Sequence, residues 1–439
     1  MATVEPTLKP ESARAEPRWR AATRIVFRFS FLYFGLYIVL TQMLTSLLFT
    51  ATNDNGAFEL DMTRPAQAVI TWVAAHVFHA AHIVTGDTGS GDRVYDWVEV
   101  ACMLALAIVG TVVWSWLDRR RGHYAALFRW FRVVVRFALG ATLLTYGAVK
   151  IFPVQMAPPS FYRLLEPYGN FSRMGVLWAS IGAARGYELF AGLAEFAGGA
   201  LLLFPRTAVL GALIALADTV QVFTLNMTYD VPVKLFSFTL ILLALIVLAP
   251  EAERLCDVIL RNRPAAPSRH FRLCRGRRAN RIALAVQTAA AVFLIGAGLW
   301  AASRIVMPPP PASPLNGLWR VESFTLAGQP HPPLTTDTTR WQRLIFTAPH
   351  SLVIQNMAGG FRGYNATLTP GSSTLTLTEP GQPKFHADLS YRRPSAAELE
   401  VIGTFAGQPM AVTLRKVDRN SFRLLGRGFH WVQDYPVNR

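Results

Sequence analysis

TYDVPVKLFSFTLILLALIVLA, residues 228–249, opens with an acid, a proline and a lysine and then runs apolar to Ala249. An apolar run near the ~20 residues needed to cross a bilayer reads as a membrane span. Asp230 and Lys234 stand at its edge, where charge beside lipid is costly unless it is paired, solvated or used. Asp230 and Pro232 suit the start of a helix, because an acid complements the N-terminal dipole and proline is tolerated in a first turn. Lys234 does not suit a helix start, so it is expected to answer Glu188 or a ligand.

Similar blocks recur along the 439 residues, of which 52% are hydrophobic and only 16% charged. About seven are long enough to span: 24–50, 95–117, 130–152, 186–204, 207–226, 232–249 and 282–303. Two shorter stretches, 66–84 and 171–183, are broken by polar residues and read as interfacial or re-entrant helices. The N-terminal MATVEPTLKPESARAEPRWR is too polar and proline-rich for a signal peptide.

The net charge of +16 is concentrated in alternate connections. Arg14, Arg18, Arg20, Arg24 and Arg28 precede or open the first span, DRRRGHYAALFRWFR (118–132) joins the second to the third, and a run from Arg254 to Arg281 precedes the last. NDNGAFELD (53–61) and TGDTGSGD (85–92) lie between them. This alternation follows the positive-inside rule. It predicts a bacterial cytoplasmic (inner) membrane protein with a cytoplasmic N-terminus and, after an odd number of spans, an extracytoplasmic C-terminus. The basic residues are then topological and lipid-facing, and nucleic acid is not an expected partner.

PPPPASP (308–314) is a stiff spacer, and beyond it the pattern changes to short alternating runs. LWRVESFTLAG, RWQRLIFT, SLVIQN, STLTLTE, KFHADLSYR, ELEVIGTF, MAVTLRKV and SFRLLGRGFHW read as roughly eight antiparallel strands of a barrel or sandwich without disulfides. The terminal Phe429, His430, Trp431 and Tyr435 are expected on an edge strand, filling the barrel or touching a membrane interface. The fold class is thus an all-α polytopic membrane bundle plus a C-terminal antiparallel all-β barrel-like or sandwich domain. The expected division is a cytoplasmic tail at 1–23, a transmembrane domain at 24–303, a proline-rich linker at 304–316 and an extracytoplasmic β domain at 317–439.

RFALGATLLTYGAVKIF (136–152) carries an Arg, a Tyr-Gly and a terminal Lys, and YELFAGLAEFAGGALLLFPRTAVLGALI (187–214) carries a Glu, a stripe of small residues and a Leu run ending at a basic turn. With these stretches the four spans between 130 and 249 resemble the DoxX-like family of small four-helix membrane proteins, over about a quarter of the chain. TGSGD (88–92), YDVPVKLFS and the terminal RGFHW look like a longer bacterial subgroup with an exterior β domain. Some relatives are tied to thiosulfate:quinone oxidoreduction and others to oxidative-stress complexes. The resemblance therefore implies a redox-related setting and a membrane redox partner beside the lipid bilayer.

Within that topology Lys150, Gln155, Tyr187, Glu188, Asn226, Tyr229, Asp230 and Lys234 fall at one level, the outer third of the bundle, as a candidate ligand pocket. Arg136, Glu195 and Asp218 form a deeper set. Glu188, Gly192, Glu195 and Gly199 share one helical stripe, and Gly140 and Gly147 allow a close approach from the third span. Pairing is cheaper than facing lipid, so Arg136 is expected to meet Glu195 or Asp218, and Glu188 to meet Lys150 or Lys234. His76, His79 and His82 (HVFHAAHIV) fit one broad helical face, yet their spacing is not that of a zinc site, and no metal is assigned. TGDTGSGD lacks the EF-hand spacing and reads as a turn capping the next helix. No histidine lies deep in a span to hold haem, and nucleotide and serine-hydrolase motifs are absent.

Two functions follow. In one, the outer mouth binds a small amphipathic molecule such as a quinone within a redox complex, with no covalently bound cofactor and no self-contained catalytic motif. In the other, the chain is a non-catalytic scaffold or transporter-like component whose β domain binds a ligand or partner.

Overall fold

The computed structural model describes residues 18–48, 63–265, 273–274, 276–305, 315–347, 350–369 and 372–438. The proline spacer 308–314, most of the tail 1–23 and the NDNGAFELD connection lie outside the described residues. The chain divides into two compact units, one of residues 1–155 and 186–306 and the other of residues 156–185 and 307–439.

The first unit is helical. Its helices are α1 (Ala21–Leu40), α2 (Gln42–Leu48), α3 (Arg64–His76), α4 (Val94–Leu117) and α5 (Ala125–Ile151). In the second unit come α6 (Phe161–Leu165) and α7 (Arg173–Ala183). Then follow α8 (Arg185–Leu203), α9 (Ala208–Thr228), α10 (Lys234–Leu248), α11 (Ala252–Ile259) and α12 (Arg277–Ile305). Among the described residues seven helical stretches are long and apolar enough to cross a membrane, so this is a membrane-embedded protein contacting lipid. The first apolar block is broken: α1 ends at Thr41, whose hydroxyl bonds back to the Tyr37 carbonyl at 2.7 Å, and α2 restarts one residue later.

Helix ends explain several charges. Arg28 donates to the Tyr124 hydroxyl at 2.6 Å, to Ser115 Oγ at 2.8 Å and to the Asp118 carbonyl at 3.0 Å, tying the start of α1 to the turn between α4 and α5. An aromatic cluster of Trp19, Phe27, Trp114 and Tyr124 packs beside it. On α5, Arg132 Nε donates to the Val247 carbonyl at 3.0 Å, and Arg136 donates to the Leu202 and Leu203 carbonyls at 2.8 and 2.9 Å. The expected meeting of Arg136 with Glu195 or Asp218 is therefore corrected. The guanidinium instead satisfies the orphan carbonyls at the C-terminal end of α8, where a cation also complements the helix dipole.

Glycines set the helix spacing. A Cβ at Gly147 would stand 2.6 Å from Phe196 N and 2.8 Å from the Gly192 oxygen, and one at Gly199 would stand 2.8 Å from the Gly140 oxygen. α5 and α8 thus touch backbone to backbone. A Cβ at Gly211 would be 2.5 Å from Leu202 N, which holds α9 equally close to α8.

Among the described residues the second unit is built on nine strands: β1 (Gly317–Leu326), β2 (Gln329–Pro330), β3 (Trp341–Thr347), β4 (Ser351–Asn356), β5 (Phe361–Leu368), β6 (Thr374–Glu379), β7 (Gln382–Ser395), β8 (Glu398–Phe405) and β9 (Gln408–Val417). β2 pairs only with the end of β1; the other eight run in sequence order and close through β1 against β9, from Leu318↔Val417 to Leu326↔Met410. This is a closed antiparallel eight-stranded barrel, which leaves no free sheet edge. Its interior is apolar, with Trp319, Phe324, Leu344, Leu352, Leu375, Leu377, Leu399 and Leu414 among the residues inside. Along β6 the leucines point in while the threonines lie on the other face. At the β8–β9 hairpin, Ala406 and Gly407 both have positive φ (51° and 80°), as a two-residue type I′ turn requires.

Two strand expectations are corrected. FRGYNATL (361–368) is β5, and the terminal SFRLLGRGFHW is not a strand. Residues 423–426 form one helical turn, α13 (Arg423–Gly426), and Phe429, Trp431 and Tyr435 beyond it are exposed (Trp431 91%) instead of filling the barrel. The segment 156–185, expected within the transmembrane domain, packs in the β unit. Tyr162 meets Phe361 at 4.8 Å between ring centroids, and Arg419 bonds the Pro159 carbonyl.

Candidate functional site

Of the eight residues expected to share one pocket, Lys234 and Asp230 pair with each other, Asn226 bonds Ser237 and Tyr187 bonds Gln221. Lys234, at the start of α10, pairs with Asp230 at 3.0 Å and lies 3.6 Å from Asp92. The expected pairing of Lys234 with Glu188 is therefore replaced. Asp92, in TGSGD, also accepts from Lys234 N at 2.8 Å and Leu235 N at 3.0 Å. Its carboxylate thus caps the first turn of a helix 142 residues away whose N-cap residue is Val233, and it takes the role expected of Asp230 and Pro232. The next helix, α4, is capped by its own Asp96, which accepts from Arg93 N at 2.7 Å. Asp230 itself is exposed with φ of 54°, in the turn before α10.

Asn226 donates to Ser237 Oγ at 3.0 Å and joins α9 to α10. Tyr229 is the C-cap of α9 and Gln155 follows the end of α5. Tyr187 and Gln221 are exposed along the α8–α9 seam and bonded to each other at 3.1 Å. Glu188 is buried at 1% exposure.

The centre that the structure does assemble lies where α5, α8 and α9 converge. Lys150, in the last turn of α5, forms an ion pair with Glu195 of α8, and the two are 7% and 5% exposed. Glu195 was expected to meet Arg136; that it meets Lys150 follows from the Gly147–Gly192 contact directly beneath. Asp218 of α9 lies within electrostatic reach of both Glu195 and Lys150. Its Oδ2 is buried and accepts no hydrogen bond from a described residue. Two acids and one lysine therefore share a low-dielectric core, an arrangement in which one negative charge calls for a proton or a donor.

The histidines do not form one face. His76 ends α3, with its ring stacked on Trp72 at 4.8 Å, His79 has φ of 51°, and His82 lies in irregular chain. Among the described residues no group of three or more His, Cys, Asp or Glu is placed to hold a metal.

One acid was passed over in the sequence. Glu99, six residues into VYDWVEVACMLALAIV, is buried at 6% and lies in electrostatic reach of Tyr33 and Tyr37 of α1. An acid one turn past Asp96, inside an apolar run, was the available signal.

The β unit carries a separate open groove of about 850 Å³ at one end of the barrel. Phe161, Phe346 and Val417 line it, together with Asn316, Lys416 and Arg419.

An 83-residue stretch of the chain is 38% identical to the uncharacterized protein YwoB of Bacillus subtilis (strain 168), covering 19% of this chain and 54% of that protein. The chain thus spans about half the length of the curated relative it matches. No family model and no solved structure matches the chain.

Proposed function

We propose that this membrane protein holds a small amphipathic molecule of the quinone type at the Lys150–Glu195–Asp218 centre, as a DoxX-like component of a redox-related complex in the bacterial cytoplasmic membrane. In this reading its C-terminal barrel lies outside the cell. The observation that carries it is Asp218: a buried carboxylate oxygen accepting no bond from a described residue, beside an ion pair that already engages the other acid. A hydroxyl of the reduced molecule would donate to Asp218, and a carbonyl of the oxidised one would accept from Lys150. Tyr187 and Gln221, exposed on the α8–α9 seam, supply a polar approach from the lipid side. The centre also offers a place to hold the proton that accompanies such a molecule. Lys234 and Asp230 have no part in this version, since each already engages the other.

The test is titration of the purified protein with a short-chain quinone analogue, followed by quenching of its tryptophans. Loss of a hydrogen bond to a charged group costs about 1.5–3 kcal/mol, so Asp218→Asn is expected to weaken binding about 10- to 150-fold. Equal affinity in the variant would refute the assignment. The groove of the barrel, with Lys416 and Asn316 on apolar walls, supports the second reading, in which the β domain binds the ligand or partner. Binding that is lost with Lys416→Glu and unmoved by Asp218→Asn would select it.

A further inference from the structure

We propose that the buried guanidiniums of Arg132 and Arg136, with Gln287, form a binding site for a phosphate group at the end of the bundle where the Arg-rich connection enters α12. The proposal stands apart from the Lys150–Glu195–Asp218 centre and needs no molecule bound there.

Arg132 and Arg136 lie one turn apart on one face of α5 and are 9% and 5% exposed. Each is anchored through part of its fork. Arg132 gives its Nε to the Val247 carbonyl near the end of α10, at 3.0 Å. Arg136 gives Nε and Nη2 to the Leu202 and Leu203 carbonyls that end α8. Nη1 of Arg136 and both terminal nitrogens of Arg132 are left without a hydrogen bond to a described residue. Glu251 comes to 3.9 Å from Arg132 Nη2, beyond hydrogen-bond distance, and it is also paired with Arg254.

Both arginines line a small cavity of about 20 Å³, with Arg129, Pro205, Leu273 and Gln287 on its other walls. That space admits one oxygen atom. Gln287 is 9% exposed and holds its Nε2 on the Ala283 carbonyl of its own helix at 3.1 Å. Its Oε1 is buried and accepts no hydrogen bond from a described residue. The cavity therefore meets unused guanidinium donors on one side and an unused amide acceptor on the other.

Two guanidiniums withdrawn from water call for more than the partial charge of carbonyls at a helix end. From Val258 to Val306 the sequence contains no acid, so neither the connection nor α12 supplies the counter-charge. The planar fork of arginine matches phosphate oxygens, and basic pockets between membrane helices suit anionic headgroups. One phosphate oxygen fills the cavity and accepts from Arg132 and Arg136, while the phosphorus stays at the mouth. A hydroxyl carried by the same group donates to Gln287 Oε1. A lipid with a hydroxyl-bearing anionic headgroup and free hydrogen phosphate share this chemistry. A water molecule would fill the space without bringing the charge.

Thermal unfolding of the full-length, lipid-stripped protein in neutral detergent tests the site. Phosphatidylglycerol, phosphatidylcholine and inorganic phosphate are titrated separately at constant ionic strength, since a ligand of the folded state raises the melting temperature by mass action. Phosphatidylglycerol should reach its half-maximal shift at least about tenfold below phosphatidylcholine, the factor that one hydrogen bond to a charged group supplies. The full shift produced by inorganic phosphate alone would name the free ion as the occupant, and its absence would name the lipid headgroup. Arg132→Gln should weaken the phosphatidylglycerol response at least about tenfold. Gln287→Leu, which breaks no ion pair and uncaps no helix end, should weaken it several-fold with the lipid-free melting temperature near the parent's. It therefore reads the site even where Arg132→Gln does not fold. Equal responses of the parent to phosphatidylglycerol and phosphatidylcholine with none to phosphate, or a response unmoved in Gln287→Leu, would overturn the proposal and leave the cavity to water.

Discussion

Replacing Lys150 by methionine removes the cation that Glu195 and Asp218 share in a buried centre. Breaking a buried ion pair from one side costs about 3–5 kcal/mol, because the remaining charge loses its partner without regaining water. Here two acids are left, Glu195 directly and Asp218 through its electrostatic contact, so the upper part of that range applies. Glu195→Gln behaves differently. Lys150 still has Asp218 in reach, and the loss is expected to be about 1–2 kcal/mol, near that of one hydrogen bond to a charged group. The double change Lys150→Met with Glu195→Leu removes both charges and should recover most of the stability. Reversible unfolding in mixed micelles measures all three. The deficit of Lys150→Met should shrink towards low pH, where protonation removes one negative charge from the centre. Equal, pH-independent losses in the two single variants, or a double variant no better than Lys150→Met, would refute this account of the site.

Three further outcomes follow from particular contacts. Asp92→Ala removes both side-chain bonds to the first turn of α10 and should cost about 1–2 kcal/mol, with faster amide exchange at Lys234 and Leu235; unchanged exchange there would deny the cap. Gly147→Ala must push α5 from α8 and should cost about 1–3 kcal/mol in unfolding free energy, whereas Gly35→Ala in α1, where a Cβ meets nothing within 4 Å, should be neutral or stabilising. In the barrel unit, the hydroxyl of Thr339 and the ring of His331, with the backbone N–H groups of Arg340 and Thr339, hold the Asp337 carboxyl well below the usual carboxylate range. Its contribution is therefore complete above the unfolded value of about 4 and is lost as pH falls below it. Circular dichroism of Asp337→Asn should show a flatter acid limb than the parent.

The helical half of the fold was legible because the signal is length and apolarity, and each span carries it alone. The break at Thr41 was not, since YIVLTQMLTSLL contains neither proline nor glycine and a single threonine interrupts it. In the barrel, alternation marked seven strands. FRGYNATL was hidden by its glycine and polar residues, while SFRLLGRGFHW alternates without pairing because β9 already closes on β1. The candidate site was legible as a level and not as a set of partners. Which acid Lys150 meets depends on the rotation of α5 against α8, and the glycine contacts fix that rotation. Asp92 could not be foreseen at α10, because the two are brought together by the bundle and not by the chain. Arg136 was misjudged because backbone carbonyls at a helix end leave no mark in the sequence.

The central claim is that the Lys150–Glu195–Asp218 centre holds a small lipid-soluble molecule. Mass spectrometry of the full-length protein, isolated with its native lipid, tests it directly when parent and Asp218→Asn are compared side by side. The account predicts a bound quinone-type molecule in the parent and its loss from the variant, with the same lipids retained by both. A parent that carries no such molecule, or a variant that carries as much of it, would contradict the account.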